Sequence, residues 1–394
     1  MSDQALPPPS PHPLYPLPSL PRKRGRVREG AGEGQGGGRG EPVLALSGGV
    51  GGAKLALGLY RILPPDTLTV VANTGDDFAH LGLSISPDLD TLLYTLSGQD
   101  NPELGWGRRG ETWTFMAALE ALGGETWFRL GDGDLATHVE RTRRLRAGES
   151  LSAVIDDFRR RLGIAARLLP MSDDPVRTWL RTAPAPASTP TTVPSRASTP
   201  TLPSPASGGG LGRGQDEGDD STVGGAGGWL DFQDYFVRLR CAPVISELAF
   251  AGADSARPHP DLLSALAEPA LRAVAICPSN PFISIDPILA VPGVRAALRA
   301  CRAPVVAVSP IVGGKAVKGP TAKMMAELGL PVDAATPARH YRDFLDLYIA
   351  DEEDAVSVAG LDIPVVLART LMQTLADREA LARIVLAAAD RIRK

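Results

Sequence analysis

Hydrophobic positions divide the chain into segments with a regular pattern and segments without one. Continuous apolar runs, which predict buried β-strands, occupy residues 43–47, 67–73, 273–277 and 304–309. Helical spacing of apolar positions passes through Leu55, Leu59 and Ile62 and recurs over residues 89–96, 111–122, 134–147, 150–161, 292–301, 321–328 and 375–392. Apolar strands alternating with amphipathic helices predict an α/β fold of three layers. We expect a doubly wound, mostly parallel, Rossmann-like sheet.

Two segments lack any such pattern. Residues 1–41 are rich in Pro, Gly and Arg, and residues 183–228 run from Ser-Thr-Pro repeats into glycines and an acidic patch. Neither can bury enough apolar surface to offset the entropy of ordering. The basic stretch at 22–26 could instead serve nucleic-acid binding or localisation, although a solvated tail fits the composition better. We therefore predict a disordered tail and one α/β domain over 42–394, interrupted by a low-complexity insertion at 183–228.

Composition narrows the classes of partner. The formal net charge of −4 and pI of about 5.8, with scattered basic residues, argue against a nucleic-acid partner. No apolar run reaches the roughly 18–20 residues of a membrane-spanning helix, and the N-terminus lacks a signal-peptide pattern. The three cysteines, Cys241, Cys277 and Cys301, fit neither a disulfide framework nor a metal site. We expect buried free thiols in a cytoplasmic protein.

Polar or glycine-rich residues follow four of the predicted strands. These segments are residues 47–54 (SGGVGGAK), 73–77 (NTGDD), 277–281 (CPSNP) and 309–314 (SPIVGG). Doubly wound folds bind ligands beyond the carboxyl ends of their strands. The four segments should therefore converge on one crevice.

The glycine turn after the first strand has two interpretations. Gly48, Gly49, Gly51 and Gly52 would let a phosphate approach the backbone at the start of the next helix. Glycines also serve close packing of a strand against a helix. The turn is neither a GxGxxG dinucleotide fingerprint nor a Walker motif, because Lys54 is followed by leucine instead of Ser or Thr.

Four aspartates lie within fifteen positions of one another: Asp76, Asp77, Asp88 and Asp90. Carboxylate oxygens of this kind suit Mg²⁺ held between protein and a diphosphate. Asp88 could equally cap the helix that follows it, whereas Asp90 would fall inside the first turn with its side chain free for a ligand.

Other candidates have structural alternatives. His138 follows acids that precede a helix, and a lone helical histidine is more often structural than catalytic. Ser279 and Asn280 lie between prolines, either as a hydrogen-bonding turn or as a plain structural one. Glycines and lysines at 313–315 and 318–319 could bind phosphate or simply lie at the surface.

Taken together, these motifs resemble the 2-phospho-L-lactate transferase family of coenzyme F420 synthesis. The resemblance covers 42–182 and 229–394 and rests on eight ordered segments, which lie at residues 47–54, 73–77, 85–91, 130–138, 169–174, 232–236, 277–281 and 308–311. It implies a Mg²⁺-dependent transfer of a phospho-acid from lactyl-, enolpyruvyl- or glyceryl-diphosphoguanosine to the ribityl hydroxyl of the deazaflavin Fo. GMP would leave, and a homodimer is expected.

The resemblance also implies roles for individual residues. Asp90 and Arg129 would contact the deazaflavin, Asp76, Asp77 and Asp90 would be catalytic, and Asp76, Asp77 and Asp88 would bind the metal. The donor would be bound by a larger set, namely Gly48, Gly49, Gly51, Gly52, Lys54, Asn73, Ser279, Asn280, Ser309, Gly313 and Gly314. Relatives have only a short connection where 183–228 interrupts this chain.

Two rival functions differ in ligand. A related family of similar fold binds nucleotide-sugars and regulates metabolism without transfer chemistry, and deazaflavin binding would distinguish the two. An NAD-dependent oxidoreductase is disfavoured for two reasons. The glycine spacing does not match the dinucleotide fingerprint, and the second strand ends in Ala72-Asn73 without the acidic residue that such folds carry there.

Overall fold

A parallel sheet of seven strands forms the centre of the fold. The computed structural model describes residues 40–102, 106–183, 228–317 and 319–393. The strands are Val43–Ser47 (β1), Leu68–Ala72 (β2), Phe78–His80 (β3), Leu83–Ile85 (β4), Arg167–Pro170 (β5), Arg177–Thr182 (β6), Trp229–Asp231 (β7), Ile245–Ala251 (β8), Ala273–Ile276 (β9), Val305–Val308 (β10), Ile311–Val312 (β11), Lys315–Ala316 (β12), Leu347–Asp351 (β13) and Val365–Ala368 (β14). The central sheet has the order β14-β13-β10-β9-β1-β2-β5.

The helices cover both faces of this sheet. They are Gly49–Ile62 (α1), Pro87–Leu96 (α2), Thr114–Ala121 (α3), Asp132–Arg146 (α4), Leu151–Arg161 (α5), Pro260–Ala267 (α6), Asp286–Ala290 (α7), Val294–Ala300 (α8), Thr321–Glu327 (α9), Ala335–His340 (α10), Ala355–Val358 (α11) and Leu375–Ile392 (α12). Two π-helical turns, Asp234–Arg238 and Pro281–Ile285, and two short 3-10 turns, Ala253–Ser255 and Glu352–Asp354, complete the regular structure.

Alternate residues of each central strand enter different hydrophobic cores. In β1 all five residues are buried; Leu44 and Leu46 belong to one core, and Val43 and Ala45 to the other. Helices α1, α2, α5 and α12 contribute to the second core, whereas α6 to α10 contribute to the first. This arrangement confirms the predicted three-layer, doubly wound α/β fold.

The strand order reverses at β1, which marks the ligand-binding crevice of such folds. Val43 pairs in parallel with Leu68 of β2 on one side and with Ala273 of β9 on the other. From β1 the chain adds strands first toward β5 and then, beginning at β9, toward β14. The crevice lies where the connections after β1 and β9 leave in opposite directions.

A smaller antiparallel sheet, β7-β6-β8, packs on the first core through Leu180, Leu230 and Ile245. The Thr182 amide donates a 2.9 Å hydrogen bond to the Gly228 carbonyl. Strands β6 and β7 are therefore adjacent where the predicted insertion leaves and re-enters the fold. The insertion itself, at 184–227, and the predicted tail, at 1–39, lie outside the described residues.

The predicted elements agree with the structure to within a few residues at their ends. The sequence pattern did not predict β5, β13 and β14 of the central sheet or the antiparallel sheet. The cysteines are free, but only Cys277 is fully buried; Cys241 and Cys301 are half-buried, which corrects the expectation for those two. In the described chain no single helix could cross a membrane, and the one bent pair that passes on length and composition, 281–290 with 294–300, consists largely of core residues.

Candidate active site

A cavity of about 490 Å³ lies at the point where the strand order reverses. Its wall combines glycine backbone, carboxylates, the side chain of Lys54 and several aromatic rings. Its predicted members are Gly48, Gly49, Gly51, Lys54, Asp76, Asp88, Asp90, Arg129, Ser279, Asn280 and Ser309, and His138 also lines it. Gly52, Asn73, Asp77, Gly313 and Gly314 do not line it.

Ser279 holds the glycine turn in place. Its hydroxyl accepts a hydrogen bond from the Gly48 amide (3.1 Å) and donates one to the Gly48 carbonyl (2.7 Å). Gly52 allows the close approach, since a Cβ there would lie 2.4 Å from Ser47 Oγ and 2.6 Å from Ser279 Oγ. The packing interpretation is confirmed for Gly52, and Gly48 and Gly51 are also closely packed, against Ser284 and the Pro278 carbonyl. Gly48, Gly49 and Gly51 border the cavity as well, which leaves the phosphate interpretation a prediction.

Asp88 joins the glycine turn to the second strand. Its Oδ1 accepts a 2.6 Å hydrogen bond from the Gly49 amide, at the start of α1, and its Oδ2 accepts one from Asn73 Nδ2 (3.0 Å). Asp88 thus binds the N-terminus of α1 and does not cap its own helix, whose N-cap, Ser86, makes no side-chain capping bond. Burial raises the pKa of Asp88 to about 6, against the two hydrogen bonds that lower it.

Asp76 is the second acidic group of the cavity wall. Burial, followed by the charge of Asp88, raises its pKa well above the ordinary range. Asp76 Oδ1 has no hydrogen-bond partner among the described residues. Gln233 Nε2 donates to the Asp76 carbonyl (3.1 Å) and thereby fixes the backbone. Two buried carboxylates that repel one another, one with an unpartnered oxygen, form a pair that a cation would stabilise.

Asp77 points elsewhere. Its Oδ2 accepts a 2.7 Å hydrogen bond from Ser86 Oγ, and burial raises its pKa to about 7. The described residues contain no group of three or more His, Cys, Asp or Glu side chains arranged to hold a metal ion. Mg²⁺ commonly takes one or two carboxylates and completes its shell with substrate phosphate and water. Asp76 and Asp88 fit that requirement, and Asp77 does not border the cavity.

Asp90 is in an ion pair, and the expectation that its side chain is free is wrong. Both of its oxygens contact the guanidinium of Arg141, which is completely buried. Asp90 nevertheless lines the cavity. Sequence reasoning missed Arg141, although Asp134, His138 and Arg141 stand at helical spacing on one face of α4.

The glycine pair at 313–314 was expected to bind the donor, but its amides are already occupied. Gly313 and Gly314 donate to the two carboxylate oxygens of Asp354, at 3.0 and 2.8 Å. These amides therefore hold the β11–β12 hairpin, and a phosphate would have to displace a buried carboxylate. Ser309 in turn closes its own strand end by hydrogen bonds to Ile311.

Two further donor-side candidates border the cavity while making structural contacts. Lys54 Nζ donates to the Met372 carbonyl (3.0 Å), and Asn280 Oδ1 accepts from the Phe282 amide (2.9 Å). The ammonium group of Lys54 places a positive charge beside the glycine turn, where an anionic ligand would be stabilised.

Aromatic rings also line the cavity. Phe232 and Phe236 stack with centroids 5.3 Å apart, and Trp106 and Phe128 add further apolar surface. The exposed Arg129 guanidinium lies 4.3 Å from the centroid of the Trp113 ring. The cavity thus combines polar groups with aromatic rings, which fits a substrate with a charged part and a flat ring.

The sequence model of the 2-phospho-L-lactate transferase CofD family matches residues 43–362 of the chain. The chain belongs to this family. The transferase is 38% identical over 357 residues to a phosphoenolpyruvate transferase of Kitasatospora aureofaciens, covering 89% of this chain and 98% of that one. It is 37% identical to phosphoenolpyruvate transferases of Streptomyces avermitilis (89% and 99% covered) and Thermobifida fusca (88% and 97%).

The transferase also shares its fold with a solved structure. A member of the UPF0052 family from Bacillus halodurans superposes with a TM-score of 0.54 at 14% identity, over 89% of this chain and all of that one. At this identity the likeness concerns the fold alone. The family match establishes an enzyme that transfers a phospho-acid group in coenzyme F420 biosynthesis.

Proposed function

We propose that this transferase moves a phosphoenolpyruvyl group from a guanosine diphosphate-linked donor to the ribityl hydroxyl of the deazaflavin Fo. The products are dehydro coenzyme F420-0 and GMP. The choice of an enolpyruvyl donor over lactyl or glyceryl is supported by the names of the relatives, which are phosphoenolpyruvate transferases at 35 to 38% identity.

One observation carries the proposal: three buried carboxylates, the glycine turn, Lys54 and several aromatic rings line a single cavity. A diphosphate carries its negative charge on oxygens that backbone amides and a lysine can bind. A deazaflavin presents a flat, largely apolar ring that stacks on aromatic side chains. We place the donor along the turn and the ring near Phe232 and Phe236.

Asp76 and Asp88 would hold Mg²⁺ against the donor diphosphate. The bound ion would neutralise the charge that develops on the phosphate oxygens during transfer. Burial raises the pKa of both carboxyls, and the charge of Asp88 further raises the pKa of Asp76. A divalent cation bound between them would stabilise the ionised form of both.

The chain's own residues position the reactants. The ribityl oxygen attacks the phosphorus that carries the enolpyruvyl group, and one new O–P bond forms as the bond to the GMP oxygen breaks. Asp90 accepts a hydrogen bond from the hydroxyl in the attacking position and takes up its proton as the new bond forms. Ser279 and Asn73 keep the turn and Asp88 fixed, so the alignment is set before the donor binds.

A turnover assay tests the proposal. Purified protein is mixed with Fo, Mg²⁺ and each of the three guanylylated donors in parallel, and GMP and the deazaflavin product are measured by mass. We expect product with the enolpyruvyl donor, lost on addition of EDTA and in Asp88→Ala. The matched control, Asp174→Ala, removes a carboxylate that pairs with Arg257 away from the cavity, and should retain activity. Absence of product with every donor would refute the proposal.

A further inference from the structure

One face of α4 adjoins the acidic wall of the cavity. Asp134, His138 and Arg141 occupy that face, one helical turn apart. All three are largely or fully buried, and they approach Asp90 and Tyr94 of α2. The contacts form a continuous chain from Asp90 to Tyr94, which we call the α4 network.

Arg141 is the centre of the network. Its Nη1 donates to Asp90 Oδ2 (3.0 Å) and to the Ser84 carbonyl (3.3 Å), and its Nη2 contacts Asp90 Oδ1. The adjacent Thr142 Oγ1 accepts from the Ser84 amide (2.7 Å), so α4 binds both backbone polar groups of Ser84 in β4. A planar group held in this way fixes both oxygens of Asp90 in one orientation.

The His138 ring lies between Arg141 and Asp134. Its Nδ1 is 3.4 Å from Arg141 Nη1 and 3.7 Å from Asp90 Oδ2, and its Nε2 is 3.1 Å from Asp134 Oδ2. The ring is completely enclosed, so it packs against the guanidinium and limits the positions that Arg141 can take.

Tyr94 and Thr137 close the far end of the network. The Tyr94 hydroxyl lies 2.5 Å from Asp134 Oδ1 and 2.9 Å from Thr137 Oγ1. Burial, and then the charges of Asp90 and Asp134, raise the pKa of Tyr94, so the phenol keeps its proton and donates. Burial of Asp134 is outweighed by the hydrogen bond and charge of His138, with Tyr94 and Arg141, and its pKa is lowered. Asp134 is accordingly an ionised carboxylate that faces the imidazole at 3.1 Å.

We infer that Arg141 is a positioning residue of the transfer reaction, which holds the Asp90 carboxylate toward the acceptor hydroxyl, and that His138 and Asp134 hold Arg141. The inference rests on the proposed function, because it assigns the acceptor hydroxyl to Asp90. The competing explanation is an ion pair that only stabilises the fold. The two differ in whether Arg141 affects the rate through Asp90.

A double-mutant cycle separates them. Arg141→Met removes the guanidinium and should lower kcat by on the order of 100-fold, the effect of misplacing a reacting group by about 1 Å. The KM for the donor should stay within about twofold of the wild-type value, because the donor contacts lie on α1. Arg141→Lys, which keeps one cationic contact, should recover part of the loss. Arg143→Met is the matched control, since Arg143 is on the same helix but pairs with Glu140 at the surface.

The decisive comparison is Asp90→Asn against Asp90→Asn with Arg141→Met. If Arg141 acts through Asp90, the two variants have equal kcat within about threefold. If the losses of kcat in the two single variants multiply in the double variant, the inference is overturned. Equal activity of Arg141→Met and Arg143→Met would also overturn it. The double variant leaves no unpaired buried charge, so it and Arg141→Lys carry the test if Arg141→Met does not fold.

Fo binding distinguishes failure of this inference from failure of the proposed function. A wild-type protein that binds Fo by fluorescence titration but makes no product refutes the transfer reaction alone. The inference is then judged on Fo affinity, which Arg141→Met should weaken at least tenfold and Arg143→Met should leave unchanged. A wild-type protein that neither binds nor converts Fo refutes both.

Discussion

The buried carboxyl of Asp77 makes the stability of the transferase depend on pH. Its pKa is raised from 3.8 to about 7, first by burial, against lowering contributions from Ser86 and from Arg177 and Arg141. Below about pH 4 the carboxyl is protonated in both the folded and the unfolded chain. Between pH 4 and 7 only the unfolded chain loses the proton, so the free energy of unfolding decreases, and above pH 7 this contribution is constant.

The difference between 3.8 and about 7 corresponds to roughly 4 kcal/mol between pH 4 and pH 8. Asp77→Asn removes the titration and keeps an acceptor for the Ser86 hydroxyl. Any packing cost of the amide is independent of pH. The free energy of unfolding of the variant relative to wild type should therefore rise by a few kcal/mol across this window.

Urea unfolding at pH 4, 5, 6, 7 and 8, without divalent metal, measures this difference. The control is Asp174→Asn, because the hydrogen bonds from Arg257 lower the pKa of Asp174. The free energy that ionised Asp174 contributes to stability is present above the ordinary pKa of aspartate and is lost on acidification. The free energy of unfolding of Asp174→Asn relative to wild type should therefore stay constant from pH 5 to 8. If the Asp77→Asn and wild-type curves run parallel over the whole range, the burial argument is refuted.

Three further predictions concern packing, chain connection and metal. Gly58→Ala should destabilise the protein by about 1–3 kcal/mol in thermal or urea unfolding, despite the better helix propensity of alanine, because its Cβ would lie 2.1 Å from the Arg378 carbonyl of α12. Gly360→Ala, with open space around it, should be neutral or slightly stabilising, and equal effects would contradict the packing argument. Replacing 184–227 by a short turn should stabilise the protein by roughly 2 kcal/mol, because closing a shorter connection costs less entropy. A lower Tm than that of the full chain would refute this. Mg²⁺ affinity by calorimetry should rise from pH 5 to pH 7, with proton release, as Asp88 (pKa about 6) ionises; a pH-independent affinity would exclude Asp88 as a ligand.

The hydrophobic pattern predicts the parallel sheet because its strands are buried on both faces and read as unbroken apolar runs. It fails for β6 and β7, which are short and separated by 184–227 in the sequence. Their pairing depends on contact across that interval, which no local pattern records. β13 and β14 are short apolar runs, and periodicity alone does not distinguish a short buried strand from a segment of a buried helix.

The convergence of strand ends at the crevice was predictable, but the partner of each side chain was not. Asp88 and Asn73 meet because β2 and the start of α2 are adjacent in space. Asp90 was expected to be free because its partner, Arg141, lies some fifty residues later on another helix. The motifs indicate which residues lie near a ligand. The burial of each side chain and its hydrogen-bond or ion-pair partner depend on the folded structure.

The reversal of strand order at β1 determines when the site can exist during synthesis. Leu46 has Val71 on one side and Ile276 on the other, so the two edges of β1 are completed by opposite halves of the chain. A nascent chain that ends before β9 carries all four aspartates but lacks Ser279, which holds the glycine turn. Synthesis of β9 pairs the open edge of β1 and is followed at once by Ser279, so the glycine turn reaches its final geometry only at that stage.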